Sequence, residues 1–160
     1  MVVVFQGWSK LFPPTIRQRL DNAYRLYSEG GDCAVESADG NDDEGCQRIF
    51  QRAAVEYRSV IRMQPKNTEA YLGLGAIYLS GGDQDYKSNL VKAVANWRKA
   101  VQLEPRSAYA HSKLAQTLYY LGQHAASDRE ERIAHRLWAH RGSYMWTIPH
   151  DSQKDVSKRK

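Results

Sequence analysis

The sequence predicts an all-α fold in which pairs of helices stack on one another, and three observations support this prediction. The segment from residue 53 to 75 recurs forty positions later, between residues 93 and 115. Apolar residues return every three or four positions, which is the spacing of one helix face. Pro65 and Pro105 interrupt the pattern at matching places, since proline cannot continue a helix. Units that repeat at this length bury their apolar faces only on one another, so the expected function is binding and not catalysis.

The repeated positions mostly keep the size class of their side chains. Small residues stand opposite small residues, aromatic opposite aromatic, and proline opposite proline. The matched pairs are Ala53 and Ala93, Tyr57 and Trp97, Val60 and Ala100, Pro65 and Pro105, Ala70 and Ala110, Leu74 and Leu114, and Gly75 and Ala115.

Length and composition predict one helical domain, residues 15–141, between an N-terminal segment, 1–14, and a basic C-terminal tail, 142–160. The chain has 160 residues, of which 42% are hydrophobic, enough for a substantial core. Its net charge is +5, but residues 29–45 hold seven of the 18 acids and no Lys or Arg, which leaves 11 acids against 23 bases, a net +12, elsewhere. A body this basic favours an acidic partner surface, although solubility explains the same charge equally well.

The first unit is predicted to contain two helices separated by an acidic loop. Residues 15–28 carry apolar side chains at helical spacing, and Gly30 and Gly31 should end this helix. Residues 29–45, rich in Gly, Asp, Ser and Asn, should then form a long loop. The second helix should run from about residue 45 to 63 with its apolar face toward the core. Its opposite face carries a basic stripe on the outer surface: Arg48, Arg52, Arg58 and Arg62.

The remaining elements follow one rule, in which a proline stops one helix and a polar residue caps the next. Asn67 or Thr68 can cap the helix after Pro65, because a side-chain oxygen there can accept an exposed backbone N–H. Pro105 and Ser107 repeat this arrangement. The predicted bounds are 69–80 and 89–103 for the third and fourth helices, with a shorter insertion at 81–88 between them, and 108–121 and 126–141 for the fifth and sixth.

One segment resembles the tetratricopeptide repeat (TPR) family, whose unit of about 34 residues pairs two helices. The family pattern has a large residue, Leu-Gly and Tyr in the first helix, then Ala, an aromatic residue, Ala and Pro in the second. This chain matches every position with Tyr71, Leu74, Gly75, Tyr78, Ala93, Trp97, Ala100 and Pro105. The resemblance implies a right-handed α-solenoid of about three TPR-like units over residues 15–141, with a C-terminal extension.

The chain departs from the family pattern at two insertions and in its last unit. The insertions, in residues 29–45 and 81–88, both fall in the turn within a unit, so the stacking can survive them. The third unit has Glu131 where an aromatic residue is usual, and it lacks a closing proline. A degenerate last unit is expected of a cap that faces water.

If the family geometry applies, the first helices of the three units line a concave groove that binds a partner. A groove of tyrosines and leucines with few bases suits an extended or helical peptide with apolar anchors. Any one of these tyrosines could equally serve packing. The expected groove residues are Arg17, Leu20, Tyr24 and Tyr27 from the first helix, Glu69, Leu72, Ala76 and Leu79 from the third, and Tyr109, Lys113, Gln116 and Tyr120 from the fifth.

The resemblance also implies positions for a known use of the fold, in which two Lys, two Asn and an Arg clamp the acidic C-terminus of cytosolic chaperones. Only one of the matching positions here, a lysine, could hold a terminal carboxylate, so a clamp of this kind is disfavoured. The matching residues are Leu20, Tyr24, Gly73, Tyr109 and Lys113.

The sequence predicts no enzyme, and no catalytic, cofactor or metal site. Packed or solvated imidazoles explain the widely spaced histidines better than metal ligation does. Asp39, Asn41 and Asp43 resemble the start of a calcium loop, but Glu44 replaces its turn glycine and Phe50 its bidentate acid. The histidines are His111, His124, His135, His140 and His150.

The two cysteines and the N-terminal region bear on the cellular compartment. Cys33 and Cys46 could form a bridge, but with nothing else pointing to secretion, free thiols are the favoured prediction. No apolar run near the N-terminus is long enough for a membrane span or a signal peptide, so a soluble intracellular protein is expected. Arg17, Arg19 and Arg25 leave a mitochondrial address open beside a cytoplasmic one.

Two functions remain. The favoured one is a non-catalytic adaptor or assembly subunit that binds a protein partner, as a peptide or a helix, in the groove. The alternative is an RNA- or ribonucleoprotein-associated subunit that uses the basic outer helices, and whose affinity would fall steeply with salt. That surface would combine the arginine stripe of the second helix, Arg129, Arg132 and Arg136 of the sixth, and the tail residues Lys158, Arg159 and Lys160.

Overall fold

The computed structural model describes residues 13–36, 43–80 and 85–139. These three ranges are helical with short turns and contain no strand. All of the predicted basic tail and most of the predicted N-terminal segment lie outside the described ranges. The six helices are α1, Ile16–Glu36; α2, Asp43–Met63; α3, Thr68–Leu79; α4, Tyr86–Leu103; α5, Ala108–Tyr120; and α6, His124–Ala139.

The helices pack as three successive pairs. α1 packs along α2, α3 along α4 and α5 along α6, while α2 contacts α3 and α4 contacts α5. α1 also contacts α3, so the first helices of two successive pairs touch each other. Each pair covers the apolar face of the next, as expected of a stacked array. The predicted fold class, an all-α solenoid of three helix pairs, is confirmed.

The core has two parts, and α3 touches both. The first part joins α1, α2 and α3, where Leu26, Phe50 and Leu74 are buried together. The second joins α4 and α5 around Trp97, and Leu72 of α3 packs against it. Because α3 contributes to both clusters, it connects the first pair of helices to the third.

The predicted helix caps are confirmed. Asn67 Oδ1 accepts the N–H of Ala70 at 2.9 Å at the start of α3. Ser107 Oγ accepts the N–H of Ala110 at 3.3 Å at the start of α5. Each bond satisfies a backbone donor that the first helical turn leaves open. After α5, Gly122 adopts a φ of 74°, which glycine tolerates best, and the helix ends.

The first helix is longer than predicted, and the prediction that Gly30 and Gly31 end it is wrong. α1 continues to Glu36. Gly30 is buried, and a Cβ there would lie 2.9 Å from ring carbons of Phe50, so this glycine admits the α2 ring into a close helix contact. Burial of the ring offsets the cost of a helical glycine, which is about 1 kcal/mol. The predicted acidic loop, 29–45, is therefore helical at both ends, and its residues 37–42 lie outside the described ranges.

The second insertion is also shorter than predicted. α4 begins at Tyr86, three positions before the predicted start at residue 89, because Asp85 Oδ1 accepts the N–H of Ser88 at 3.1 Å and caps the helix. Residues 81–84 lie outside the described ranges. None of the helices in the described part of the chain is both long and apolar enough to cross a bilayer.

Cys33 and Cys46 form a disulfide, and the prediction of free thiols is wrong. Because α1 runs on to Glu36, Cys33 lies beside Cys46 of α2, with 5.5 Å between their Cα atoms. The bond joins the two helices across 13 positions of sequence. By the chain-entropy account, a crosslink of this span stabilises the fold by about 3 kcal/mol.

Candidate functional site

The predicted groove residues lie on α1, α3 and α5, where the structure sorts them by exposure. Leu20 was wrongly assigned to the groove surface: it is 5% exposed and lies in the first core cluster. It begins the buried stripe of α1 that continues through Ala23 and Leu26. Six of the other residues are exposed: Arg17, Tyr24, Glu69, Tyr109, Gln116 and Tyr120. Five are half-buried: Tyr27, Leu72, Ala76, Leu79 and Lys113.

The half-buried aliphatic residues serve packing more than recognition. Leu72 and Ala76 pack against the second core cluster. The side chains that remain available on these helices are mainly tyrosines and polar residues. The groove is therefore less apolar than its sequence suggested.

Tyr57 of α2 is a residue of this site that the sequence did not identify. Its ring crosses α3 at Gly73, where a Cβ would lie 2.2 Å from the Cζ atom that bears the hydroxyl. Any larger residue at position 73 would collide with the ring, so this glycine gives Tyr57 its path. The side chain is only 4% exposed, and among the described residues its hydroxyl has no hydrogen-bond partner.

The sequence predicts that Tyr57 is a packing residue like its repeat partner Trp97, and it does lie in the first core cluster. The signal that could have revealed it is Gly73, which precedes the Leu-Gly pair of the repeat pattern and is matched by Lys113 forty residues later. A glycine at a helix position that the pattern does not require indicates close approach by another group.

Four more side chains affect the ionisation of the Tyr57 hydroxyl. Burial is the largest cause that raises the pKa of Tyr57 to about 12, and the Glu69 carboxylate is the second. The phenol groups of Tyr27, Tyr24 and Tyr109 raise it further. Burial also raises the pKa of Tyr109, with Tyr27 as the second cause. Tyr57 and the four groups that raise its pKa are named here the tyrosine-glutamate cluster.

Members of the cluster differ in how firmly they are held. Tyr27 packs its ring 6.0 Å from that of Phe50, and its hydroxyl lies 3.4 Å from Ser80 Oγ. Tyr24, by contrast, is 67% exposed. Glu69 is exposed and makes no ion pair with any other described residue. The cluster thus combines one fixed ring, one accessible ring and an uncompensated carboxylate.

Polar side chains along α5 contact one another in series. Lys113 Nζ lies 5.7 Å from the centroid of the Tyr109 ring and 3.5 Å from Gln116 Oε1. Gln116 Nε2 donates in turn to the Tyr120 hydroxyl at 3.3 Å. Lys113 is therefore engaged, and the Tyr57 ring occupies the space beside Gly73. That a carboxylate clamp is disfavoured stays a prediction.

The arginines of the predicted basic outer surface are all exposed, and three of those on α2 bond nearby groups of the chain: the set is Arg48, Arg52, Arg58, Arg62, Arg129, Arg132 and Arg136. Arg58 Nη2 donates to the Tyr78 hydroxyl at 2.7 Å, and Arg62 Nη2 donates to Ser59 Oγ at 2.8 Å. Arg48 Nε donates to the carbonyl of Glu44 at 3.2 Å. Three of the four α2 arginines thus bond groups of the chain itself. No hydrogen bond or ion pair among the described residues involves the others: Arg52, Arg129, Arg132 and Arg136.

His111 is a packed histidine, which is one of the two environments that the sequence predicts for the histidines. Its Nδ1 lies 2.6 Å from Glu130 Oε2 of α6, and its Nε2 lies 3.1 Å from the carbonyl oxygen of Pro105. Because a carbonyl only accepts, Nε2 must carry the proton in this bond. The described residues contain no group of three or more His, Cys, Asp or Glu side chains that could hold a metal ion. His140 and His150 lie outside those residues.

Comparisons with known proteins do not identify a family. No protein-family model matches the chain, and no curated protein has a significantly similar sequence. Among solved structures, the chain is similar to one described as "MamA RS-1 ArsTM double mutant", with 16% identical residues and a TM-score of 0.49 over 86% of this chain and 83% of that one. A similarity this low carries no argument about function. The assignment of a TPR-like fold rests on the helix pairs and repeat positions of the chain itself.

Proposed function

We propose that this chain is a protein-interaction module that binds an extended segment of a partner protein along the face formed by α1, α3 and α5. The observation that carries this proposal is the tyrosine-glutamate cluster, whose side chains come from four helices, including the three that carry the predicted groove. Tyr57 and Tyr27 also belong to or pack against the first core part, whereas Tyr24 and Glu69 are exposed and available to a partner.

Tyrosine suits recognition of a peptide for physical reasons. Its ring offers a large contact area with only two side-chain torsions to fix, and its hydroxyl can bond the partner's backbone. Tyr24 and Tyr120 leave about half or more of their surface exposed, which is more than a packing role requires. A rigid helical scaffold presents them in fixed positions, so less conformational entropy is lost on binding.

An adaptor or scaffold role follows from this binding mode. A stack of helix pairs offers one elongated surface, and the cluster on it contains no nucleophile with an adjacent base. Binding to a protein partner is better supported than binding to RNA, since no contact described above favours nucleic acid.

The test uses a random-peptide display library selected on the full-length chain with its disulfide intact. Peptides enriched on the wild-type chain should lose about tenfold or more in affinity for Tyr24→Ala, because interface tyrosines commonly contribute more than 1 kcal/mol. Tyr86→Ala is the matched control, since Tyr86 is a similarly exposed tyrosine that lies on α4 and not on the groove helices. Enriched peptides that bind both variants equally well would refute a groove-binding role. So would a selection that enriches nothing.

A further inference from the structure

The last six residues of α1, 31–36, are named here the α1 extension, and little packing holds them on the fold. The buried residues of α1 end at Gly30. Within the extension Gly31 and Cys33 are half-buried, and the other four residues are exposed. Val35, its one large aliphatic residue, is 77% exposed. Burial of an apolar face, which fixes most helices on their neighbours, therefore contributes little beyond Gly30.

The sequence of the α1 extension also opposes a helix. Gly31 has a poor helix propensity, and nothing lies within 4 Å of the position that a Cβ would take there, so no close contact compensates for it. Asp32 and Glu36 repel each other at a spacing of four residues, and both lie near the negative end of the helix dipole. Neither carboxylate pairs with a base among the described residues, and the last turn of α1 contains no base. These six residues need another contact to stay helical.

The bond between Cys33 and Cys46 is the contact that explains the α1 extension. It joins the middle of the extension to the first turns of α2, with 5.5 Å between the two Cα atoms. The two cysteines differ in access, because Cys33 is half-buried whereas Cys46 is 2% exposed. An incoming thiolate therefore reaches the sulfur of Cys33 first.

We propose that this bond is a thiol–disulfide exchange site, and that its reduction ends α1 at Gly30. The co-reactant is a dithiol, whose thiolate attacks Cys33 Sγ and forms a mixed disulfide while Cys46 leaves as a thiolate. The second thiolate of the dithiol then attacks the dithiol's own sulfur in the mixed disulfide, which releases Cys33 and closes the oxidised dithiol into a ring. Two electrons pass to the chain, and each cysteine takes up one of the two protons that the dithiol gives up.

Contacts just before the α1 extension explain why the change stops at Gly30. Leu26 is buried in the first core cluster, and Tyr27 packs its ring 6.0 Å from that of Phe50. A Cβ at Gly30 would lie 2.9 Å from the same Phe50 ring. These contacts involve neither cysteine, so this part of α1 stays packed on α2 when the bond opens. The exchange site thus controls one end of a helix, and it does not depend on the binding role proposed for the groove.

Hydrogen exchange measured by mass spectrometry tests the proposal on the full-length chain, oxidised and after treatment with dithiothreitol. Amides of residues 31–36 should exchange about tenfold faster or more after reduction, because the α1 extension then opens locally. Amides of residues 16–29 should keep their rates. The double variant Cys33→Ser, Cys46→Ser is the matched control, since it should show the fast rates at residues 31–36 with or without dithiothreitol.

A further variant tests whether weak helix propensity is what the bond offsets. In the reduced chain, Gly31→Ala should slow exchange in the α1 extension by a few-fold, because alanine favours the helix and its methyl group meets nothing within 4 Å. Equal rates in the reduced variant and the reduced wild type would contradict the account of the extension as a weak helix held by the bond.

Brief exposure to glutathione, quenched with iodoacetamide, tests which sulfur is attacked. Mass spectrometry should find glutathione on Cys33 and the alkyl group on Cys46, and the reverse arrangement would overturn the assigned order. A disulfide that survives dithiothreitol in the folded chain would refute the exchange site. The conformational part fails if residues 31–36 exchange equally slowly in both redox states, or if exchange at residues 16–29 rises with theirs.

Discussion

The two interfaces between successive helix pairs are built from matching positions that lie forty residues apart. The side chains at these matching positions have different roles. At the first, Tyr57 of α2 meets α3, and at the second, Trp97 of α4 meets α5. Burial and then the Glu69 carboxylate raise the pKa of Tyr57, whereas Trp97 packs edge-on against Tyr109, with ring centroids 6.4 Å apart. Position 69 is thus acidic where position 109 is aromatic. The first interface exposes polar groups at the groove, and the second is closed by packing.

The glycine gaps reinforce this difference. Gly73 opens a path for Tyr57 through α3, while the matching position on α5 is Lys113, whose side chain covers Tyr109. Trp97 instead lies under Gly75 of its own pair, where a Cβ would be 2.6 Å from the indole. It is fully buried. Both rings belong to the core, and Tyr57 is the one that we propose also contributes to the site.

Other features are the same in both units, which shows what the scaffold requires. The Tyr71 hydroxyl donates to the carbonyl of Pro65 at 3.2 Å, and His111 Nε2 donates to that of Pro105 at 3.1 Å. Two different side chains, forty positions apart, thus tie the same turn to the following helix. The turn needs a donor and accepts either residue type, so variation at this position carries no functional meaning.

The largest expected effect that separates the two interfaces is on stability. Trp97→Ala should lower the free energy of unfolding by about 3 to 5 kcal/mol, because it removes a fully buried indole and leaves a cavity. Tyr57→Phe should change that free energy by less than about 1 kcal/mol, since the lost hydroxyl bonds no described residue. Urea unfolding monitored by helical circular dichroism measures both.

A comparable loss of stability in Tyr57→Phe would show that the hydroxyl has a structural partner. The assignment of Tyr57 to a binding site would then be wrong. Trp97 also provides an internal check, because its Nε1 is buried with no hydrogen-bond partner among the described residues. Its contribution must therefore come from packing alone.

A smaller effect is expected from closing the glycine gap of the first interface. Gly73→Ala should destabilise the fold by about 1 to 3 kcal/mol, because the new methyl group would collide with the Tyr57 ring and force one of them to move. Gly31→Ala is the control: it adds the same methyl group to a helix where nothing lies within 4 Å. That control should be stabilising by about 0.5 to 1 kcal/mol.

Thermal unfolding of the two alanine variants provides the measurement. If Gly73→Ala were as stable as Gly31→Ala, the Tyr57 ring would not lie against α3. Restoration of stability in the double variant with Tyr57→Ala would locate the collision at that ring.

Much of the fold could be predicted from the sequence because its signals are local. These signals are the proline stops, the Asn67 and Ser107 caps and the forty-residue register. All of them depend on short-range chemistry, and together they predicted the bounds of the later helices to within a few residues. The end of α1 could not be predicted this way. The local sequence predicts that the helix ends at Gly30. Only the Phe50 ring, twenty positions away, explains why this glycine lies inside the helix at a close contact with α2. The disulfide was missed for the same reason, since it depends on where α1 ends.

The site was predictable in position but not in chemistry. Family geometry correctly placed Tyr24, Tyr109 and Glu69 on first helices of their units. It could not show that Tyr57, on a second helix, reaches the same surface. Nor could it show that Leu20 faces the core. Such features depend on the path of single side chains between helices, which no periodic pattern records.

The smallest effect concerns the ionisation of Tyr57, and it tests the environment of the cluster directly. Burial and the Glu69 carboxylate raise the pKa of Tyr57 from 10.0 to about 12 in the folded chain. The unfolded chain, with its ordinary tyrosine pKa of about 10, loses this proton first as the pH rises. The native state then binds more protons than the unfolded state, so this group's stabilisation is present below about pH 10 and is lost between about pH 10 and 12.

A pH titration followed by tyrosinate absorbance measures the order in which the tyrosines lose their protons. Wild type should show a late component that Tyr57→Phe removes, whereas Tyr86→Phe should remove an ordinary one because Tyr86 is 57% exposed. Circular dichroism recorded alongside must confirm that the helices persist over the titration. Glu69→Gln should bring the late component to lower pH, because the carboxylate no longer opposes the phenolate. A late component that survives Tyr57→Phe would place the buried phenol elsewhere, and the distinction between the open first interface and the closed second one would lose its electrostatic support.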